Sequence, residues 1–568
     1  MARNSHRRAG GPGSGHGSGP GSGHGSGHGD GTGTRTRNTV LVVAAVVVAG
    51  AVVATVALWP DGSGGGSGSA SDGGSAKPSA ESSSPSVAYP VSKAPRTIPS
   101  VRNHEAARGP GWKPSDDGRV LVSDPGLADE GKLLARELKL RYAGKGGARQ
   151  GDVELALTSG GGGSEKAGAE SYTMTVREGR VRITGRAQAG VFYGTRTLKQ
   201  SVRADGVMPE GVVRDEPAKP QRGFMLDIAR KPYDAGWIED RVRELADLKY
   251  NQLGLHFSDD QGFRIASDSH PEIVSREHLT KAQVRSIVKL ATGLHITVIP
   301  EIDSPGHLGA VIAAHPGLQL KNTSGAATRG AVDISEAEAG SIVDDLTREY
   351  VKLFPGAYWN LGADEYQALV VSHPEASFPQ LAAAARKKYG QGATIKDLAM
   401  SWLNDRADAV READPKRVVK AWNDGFFAGG AVKGDKDVEV GYWTGKEIGA
   451  RGPEEYLREG REVLNYNDEY MYYVLGQPNT FTYPTGQRIY EQWTPRVIRG
   501  TKAVPASYDK LILGGSFAVW GDLAQAQTQD QVADGIRMPL RATVEKLWNP
   551  DKPTLSWAEF VSLAKRTG

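Results

Sequence analysis

From Pro220 onward the chain repeats one pattern, in which a short apolar run is followed by a polar stretch and then by amphipathic helical periodicity. Parallel strands can only be joined by connections long enough to return to the same end of a sheet, and this alternation supplies them. The strand-like runs are RGFMLDIA from Arg222, QLGLHF from Gln252, HITVIPEID from His295, AYWNLGADE from Ala357, RVVKAWND from Arg417, VEVGYW from Val438, EVLNYND from Glu462 and LILGGSFAVWGD from Leu511. Eight such units close a barrel. The fold class is therefore α/β, a (β/α)8 TIM barrel over residues 219–568, preceded by a small α+β domain.

The fourth run carries the sharpest chemical signal. In WNLGADEY, Trp359 to Tyr366, a strand opens into a loop at two consecutive carboxylates, Asp364 and Glu365. Neighbouring carboxylates repel, so one stays ionised while the other keeps its proton near neutral pH, a division that suits glycoside cleavage. An Asp-Glu pair at a helix start is commonplace for electrostatic reasons alone. The companions at the other strand ends distinguish this pair: His256 and SDDQGFR, Glu301, Asp303 and His307, Trp422, Trp443, Tyr466 and Asp468, Trp520 and Asp522. Arg222, at the start of the first strand, is read with them as a group that grips sugar hydroxyls. Aromatic faces beside hydroxyl-pairing acids match a sugar ring, whose C–H faces are apolar and whose edge is polar.

Upstream, residues 101–218 read as the small α+β domain. GRVLVSDP and DVELALTS have strand patterns, Ala128 to Tyr142 has helical spacing, SYTMTVREGRVRITGRA reads as a hairpin turning at Glu178-Gly179, and QAGVFYGTRTLKQSV reads as a helix. No catalytic constellation occurs there. Many of the 73 glycines crowd the N-terminal part, where residues 1–38 form a Gly/Ser/His tail too poor in apolar side chains to order itself. Residues 39–59 include about twenty uncharged apolar residues, long enough to span a bilayer. Arg35 and Arg37 place the tail in the cytoplasm and the remainder outside, as a single-pass signal anchor in the cell membrane. Secretion after signal cleavage is the alternative. Residues 60–100, rich in Gly, Ser and Pro, are expected to be a flexible linker.

A formal net charge of +3 gives no reason to expect nucleic acid as a partner. The chain has no cysteine, which removes disulfides and thiolate chemistry. His256, Asp303 and His307 lack the tight spacing of a specific metal motif, so neither metal nor organic cofactor is expected.

Taken in order, RGFMLDIAR, HFSDDQGFRI, VIPEIDSPGH, LGADE, the Tyr466-x-Asp468 pair and GGSFAVWGD resemble glycoside hydrolase family 20, the β-N-acetylhexosaminidases. AGVFYGTRTLKQ is similar to the end of that family's small N-terminal domain, so the resemblance runs from about residue 101 to the C-terminus. It implies substrate-assisted retaining hydrolysis, an exception to the two-carboxylate scheme. By position, Glu365 would be the general acid and then the base, and Asp364 would orient the 2-acetamido group whose carbonyl oxygen attacks the anomeric carbon. Tyr466 would bond that oxygen, with Trp422, Trp443 and Trp520 walling the pocket. Arg222, Asp260, Asp468 and Asp522 would bind substrate, with Asp303 and His307 supporting the acids.

The family usually has His at Asn360, Gly at Ala363 and Glu at Asp522, and commonly Trp at Phe263. The resemblance implies an amino-sugar oligosaccharide or glycoconjugate with a terminal β-linked N-acetylglucosamine or N-acetylgalactosamine. The GADEY form also resembles the lacto-N-biosidase branch, which removes a disaccharide. An alternative of another class is a non-catalytic glycan-binding surface protein.

Overall fold

The computed structural model describes residues 89–158, 168–446 and 449–568. The Gly/Ser/His tail, the apolar run 39–59 and most of the linker lie outside the described residues. Among those described, no helix is long and apolar enough to cross a membrane.

Each of the expected barrel runs forms a strand: Gln221–Asp227, Gln252–Asp259, Thr297–Ile302, Tyr358–Asn360, Val418–Trp422, Glu439–Tyr442, Val463–Asn465 and Ile512–Trp520. The ring closes because the first strand pairs in parallel with both the second and the eighth. Gly514, at φ +148°, permits that closure, since a Cβ there would lie 1.8 Å from the Gln221 carbonyl oxygen. A further short strand, Tyr472–Val474, runs beside the end of the eighth and brings Tyr472 to the rim. Both the first and the eighth strand are buried along their whole length, as expected where side chains pack the barrel interior and helices cover the outside. Helix starts follow local chemistry: the hydroxyls of Thr280, Thr528 and Ser556 accept from the N–H groups of Gln283, Gln531 and Glu559 in capping boxes.

The small domain is a seven-stranded sheet carrying the helices Ala128–Leu138 and Gln188–Asp205. Its hairpin turns at Glu178 and Gly179, both at positive φ, as the sequence indicates. The first helix is shorter than its periodicity suggests. Lys139 takes a left-handed conformation at φ 58° and ends it, and Arg141–Gly144 becomes an edge strand parallel to Arg119–Val122. The linker expected through residue 100 also ends sooner. Ile98 is fully buried, its N–H donates to Gln200 Oε1, and Ser100 N–H donates to Glu545 Oε2. A buried apolar side chain with its backbone paired is part of the domain, not of a linker.

A polar seam joins this domain to the bottom of the barrel, and Arg222 belongs to it. Its guanidinium is fully buried, donates to both carboxylate oxygens of Glu170 at 2.8 and 2.9 Å, to Tyr193 Oη and to the carbonyls of Lys219 and Lys249, and lies over the Trp548 ring. The expectation that Arg222 binds sugar is therefore corrected, because it opens its strand, whereas the rim lies where the strands end. An Arg222→Met substitution would leave Glu170 without its ion partner, and losing one member of a buried pair costs about 3–5 kcal/mol. Thermal unfolding should show a large drop in Tm, while the folded fraction keeps its KM for substrate. A raised KM with unchanged Tm would restore the binding role.

Candidate active site

The arginine at the rim is Arg230, eight residues further along the same motif. Asp227, the last residue of the first strand, accepts from Arg230 at both its backbone N–H and its guanidinium, each at 2.9 Å, and its second oxygen also accepts from Gly521 N–H. This fastens the ends of the first and eighth strands together. Arg230 then pairs with Asp259 at 2.7 Å and lies over the face of Trp520. Only its place after the strand, as the last residue of RGFMLDIAR, marked it in the sequence.

Asp259 also meets His256 Nε2 at 2.8 Å and His307 Nδ1 at 3.3 Å. Its neighbour Asp260, expected to bind substrate, is engaged elsewhere: it accepts from Gly309 N–H at 3.1 Å and pairs with Arg329. This correction follows from geometry, as the Asp260 carboxylate, although within 4.8 Å of ligand atoms of Asp259 and His307, is taken up in anchoring the loop after the third strand. His256 is held on its other side by Glu301 at 2.9 Å. Burial alone would lower its pKa, but Glu301 and Asp259 outweigh burial and push it up to about 10, so the ring is an imidazolium at neutral pH. Glu301 accepts in addition from Asn360 Nδ2 at 2.6 Å and from Trp422 Nε1 at 3.0 Å. It thus sets the plane of Trp422, against whose face Tyr466 packs edge-on at 4.7 Å.

The loop Gly362 to Glu365 is tightly wound, with Gly362, Ala363 and Glu365 at positive φ. Gly362 is sterically required, since a Cβ would fall 2.0 Å from Asp303 Oδ1. That same oxygen accepts from Ala363 N–H at 2.7 Å, pinning the loop to the third strand. Ala363 and Glu365 pay for left-handed backbone with strain of order 1 kcal/mol each. What results is a pair of carboxylates converging on one imidazole: His307 Nε2 lies 3.7 Å from Asp364 Oδ2 and 3.4 Å from Glu365 Oε2. Glu365 is further held through its backbone N–H, which donates to Asp424 Oδ2 at 2.8 Å, and Asp424 Oδ1 accepts from Trp443 Nε1 at 2.9 Å.

The protons are distributed differently from the sequence expectation. Asp303 is fully buried, and burial together with the charge of Asp364 pushes its pKa well above the usual carboxylate range. The His307 ring, 3.4 Å from Glu365 Oε2, lowers the pKa of Glu365, against burial. His307 itself is raised, because Asp259, Asp364 and Asp303 overcome its desolvation. Burial and the neighbouring carboxylates thus favour the protonated form of Asp303, from another strand, while the His307 ring favours the ionised form of Glu365. Adjacent residues in one loop do not have to be each other's electrostatic partners.

Around the acids lies an aromatic cluster separate from the main core, comprising Trp422, Tyr466, Tyr472 and Trp520 with Trp443 and Phe481 against it. Trp443 stacks on Tyr472 with ring centroids 5.6 Å apart and planes within 3°. Tyr472 was not singled out in the sequence, because its short strand lies outside the eightfold repeat. Asp468 is buried and pairs with Lys446 at 2.6 Å, and Asp522 is exposed at the end of the eighth strand. Among the described residues, Trp520 Nε1, Asp364 Oδ1 and Asp303 Oδ2 are buried without a hydrogen-bond partner. Unpaired polar atoms grouped at one rim are unusual in a finished core and typical of a site. The positions where the family usually differs also have explanations: Asn360 braces Glu301, and Phe263 is a core residue packed edge-on to Phe257.

A parallel barrel that gathers carboxylates, an arginine and tryptophan faces at the C-terminal ends of its strands has the architecture of a barrel glycoside hydrolase. The sequence matches glycosyl hydrolase family 20, catalytic domain, over residues 220–551, and domain 2 of the same family over residues 94–216. The chain belongs to glycosyl hydrolase family 20.

It is 28% identical over 474 residues to a lacto-N-biosidase of Bifidobacterium bifidum, covering 82% of this chain and 41% of that protein. It is 30% identical over 335 residues to a β-N-acetylhexosaminidase of Cellulomonas fimi, covering 54% of this chain and 64% of that protein. The chain therefore spans less than two thirds of these curated relatives. Among solved structures, the β-N-acetylhexosaminidase from Streptomyces coelicolor A3(2) superposes with a TM-score of 0.65 at 24% identity, covering 84% of this chain and 96% of that one. The exo-β-N-acetylglucosaminidase from Vibrio harveyi, bound to N-acetylglucosamine, gives 0.66 at 20% identity, over 86% and 79%.

Proposed function

We propose that this chain hydrolyses terminal β-linked N-acetylhexosamine from oligosaccharides or glycoconjugates, with retention and with the substrate's own acetamido oxygen as nucleophile. The convergence of Asp364 and Glu365 on His307 Nε2 carries this reading. In a two-carboxylate glycosidase the acids face one another across the sugar ring. Here both lean on one imidazole, which leaves the opposite side of the anomeric carbon to a group of the substrate. Glu365 delivers a proton to the leaving oxygen and later takes one from water. Asp364 steadies the N–H of the acetamido group as positive charge builds on it. Tyr466 receives the acetamido oxygen against Trp422, and Arg230 takes ring hydroxyls beside Trp520. Asp468 and Asp522 bind the outer hydroxyls.

A second reading, release of a disaccharide from lacto-N-biose-type ends, is favoured by two observations. The similarity to the bifidobacterial lacto-N-biosidase extends over most of the chain. Asp522, one carbon shorter than the family's usual Glu, is exposed at the end of the eighth strand, and a shorter acid there would hold the outer edge of the first sugar less firmly. Product analysis on an aryl β-N-acetylglucosaminide and an aryl lacto-N-bioside separates the two. Free N-acetylhexosamine from the first supports the leading reading, disaccharide from the second alone supports the other, and binding of both without turnover rejects catalysis.

For location, the uncharged run 39–59 behind Arg35 and Arg37 supports a cell-membrane anchor with the hydrolase outside, the alternative being secretion after cleavage.

A further inference from the structure

A second group of ligand-type side chains lies away from the acids, between two rim loops. His270 stands in the loop after the second barrel strand, just before the turn Pro271–Ile273 that contains Glu272. His315 follows the short helix Gly309–Ala314 in the loop after the third strand, downstream of His307. Glu272 Oε1 lies 2.9 Å from His270 Nδ1 and 3.1 Å from His315 Nε2, and the three ligand atoms fall within 4.8 Å of one another. Ligands about 2.0–2.2 Å from a tetrahedral zinc ion are about 3.3 Å apart, so closing this triangle around a cation takes a small adjustment.

The outer nitrogen of each ring faces a carboxylate on the helix Ala337–Leu353. His270 Nε2 lies 3.7 Å from Asp345 Oδ2, and His315 Nδ1 lies 3.8 Å from Glu338 Oε1. Metal-bound imidazoles are oriented by such carboxylates, which take the N–H of the outer nitrogen and turn the lone pair of the inner one toward the metal. His270 Nε2 is buried and lacks a hydrogen-bond partner among the described residues, as expected of a ring whose N–H is aimed at an acid still slightly too far away. Arg348 is the cation beside this group, paired with Asp345 at 2.9 Å.

We propose that His270, Glu272 and His315 form a binding site for a divalent transition-metal cation, best suited to zinc, which ties the loop after the second barrel strand to the loop after the third. Two imidazoles and one carboxylate select zinc-like ions over magnesium or calcium, which prefer all-oxygen ligand sets. The site is structural. It braces the segments that carry Asp259 and His307, and its ion stays out of the reaction.

The test uses the full chain without a histidine tag, as wild type, His315→Ala and Glu272→Gln, each stripped with chelator. Zn2+ uptake is counted by equilibrium dialysis and Tm is followed with and without the ion. His16, His24 and His28 of the tail are present in all three chains, so only differences count. Wild type is expected to bind one equivalent more than either variant, to show a Zn2+-dependent rise in Tm that both variants lose, and to ignore Mg2+ at the same concentration. Should His315→Ala fold poorly, Glu272→Gln and the visible bands of Co2+ bound to wild type decide the matter. Equal uptake and equal Tm shifts in all folded chains, or no Co2+ bands of tetrahedral intensity, overturn the proposal.

Discussion

Glu365→Gln should lower turnover on an amino-sugar oligosaccharide by about 10²- to 10⁴-fold, the usual contribution of a positioned general acid. Glutamine keeps the shape of the side chain and has no transferable proton, so Tm should hardly change. The loss should depend on the leaving group. A sugar alkoxide needs the proton, whereas an acidic phenol leaves without much help, so the defect should shrink on a nitrophenyl glycoside. The pH profile gives an independent check. The carboxylates around His307 raise its pKa, and the His307 ring holds Glu365 below its ordinary pKa. The fraction carrying a proton on the carboxyl therefore falls as pH rises above that lowered value, and kcat/KM should fall with it. Glu365→Gln should erase that descending limb. A variant as fast as wild type, with the same pH profile, would remove Glu365 from the chemistry.

Asp364→Asn should cost about 10²- to 10³-fold, similar to the loss of one preorganised group aimed at developing charge. Here the charge is positive and builds on the acetamido nitrogen, so an amide in place of the carboxylate withdraws the stabilisation while preserving volume. Two features separate this defect from the first. It should be nearly independent of the leaving group, and it should reduce the preference for N-acetylated substrates over the same sugars without nitrogen. A second effect follows from the neighbouring acid: with Asp364 neutral, Asp303 loses the charge that helps raise its pKa, though its burial remains. If Asp364→Asn left discrimination for the acetamido group intact, substrate assistance would be the wrong mechanism.

The barrel itself was legible in the sequence because strand identity is a local property. Runs such as QLGLHF and VEVGYW declare themselves within a few residues, and each became a strand where its pattern placed it. The same holds for the hairpin at Glu178-Gly179. Helix length was less legible: Ala128–Leu138 stopped at Lys139 because a neighbouring strand offered Arg141–Gly144 better pairing than another helical turn could. The strand Tyr472–Val474 was missed because three residues beside a longer strand carry no periodicity of their own.

The site was legible as a roster and not as an arrangement. Arg222 and Arg230 stand in one motif, yet a seven-residue strand rising about 3.3 Å per residue puts them at opposite ends of the barrel. Asp259 and Asp260 could not be told apart by alternation, because the pairing of the second and third strands slips beside Phe257.

By itself the sequence determined the α/β alternation, the barrel, the two consecutive acids and the aromatic company they keep, all of which depend on residues close together in the chain. Tertiary structure alone decided which arginine reaches the rim and which carboxyl burial pushes toward its protonated form. Asp303, Asp364 and His307 influence one another through a few ångströms of low-dielectric space, across strands and loops far apart in sequence, and charge responds to that distance and not to position in the chain.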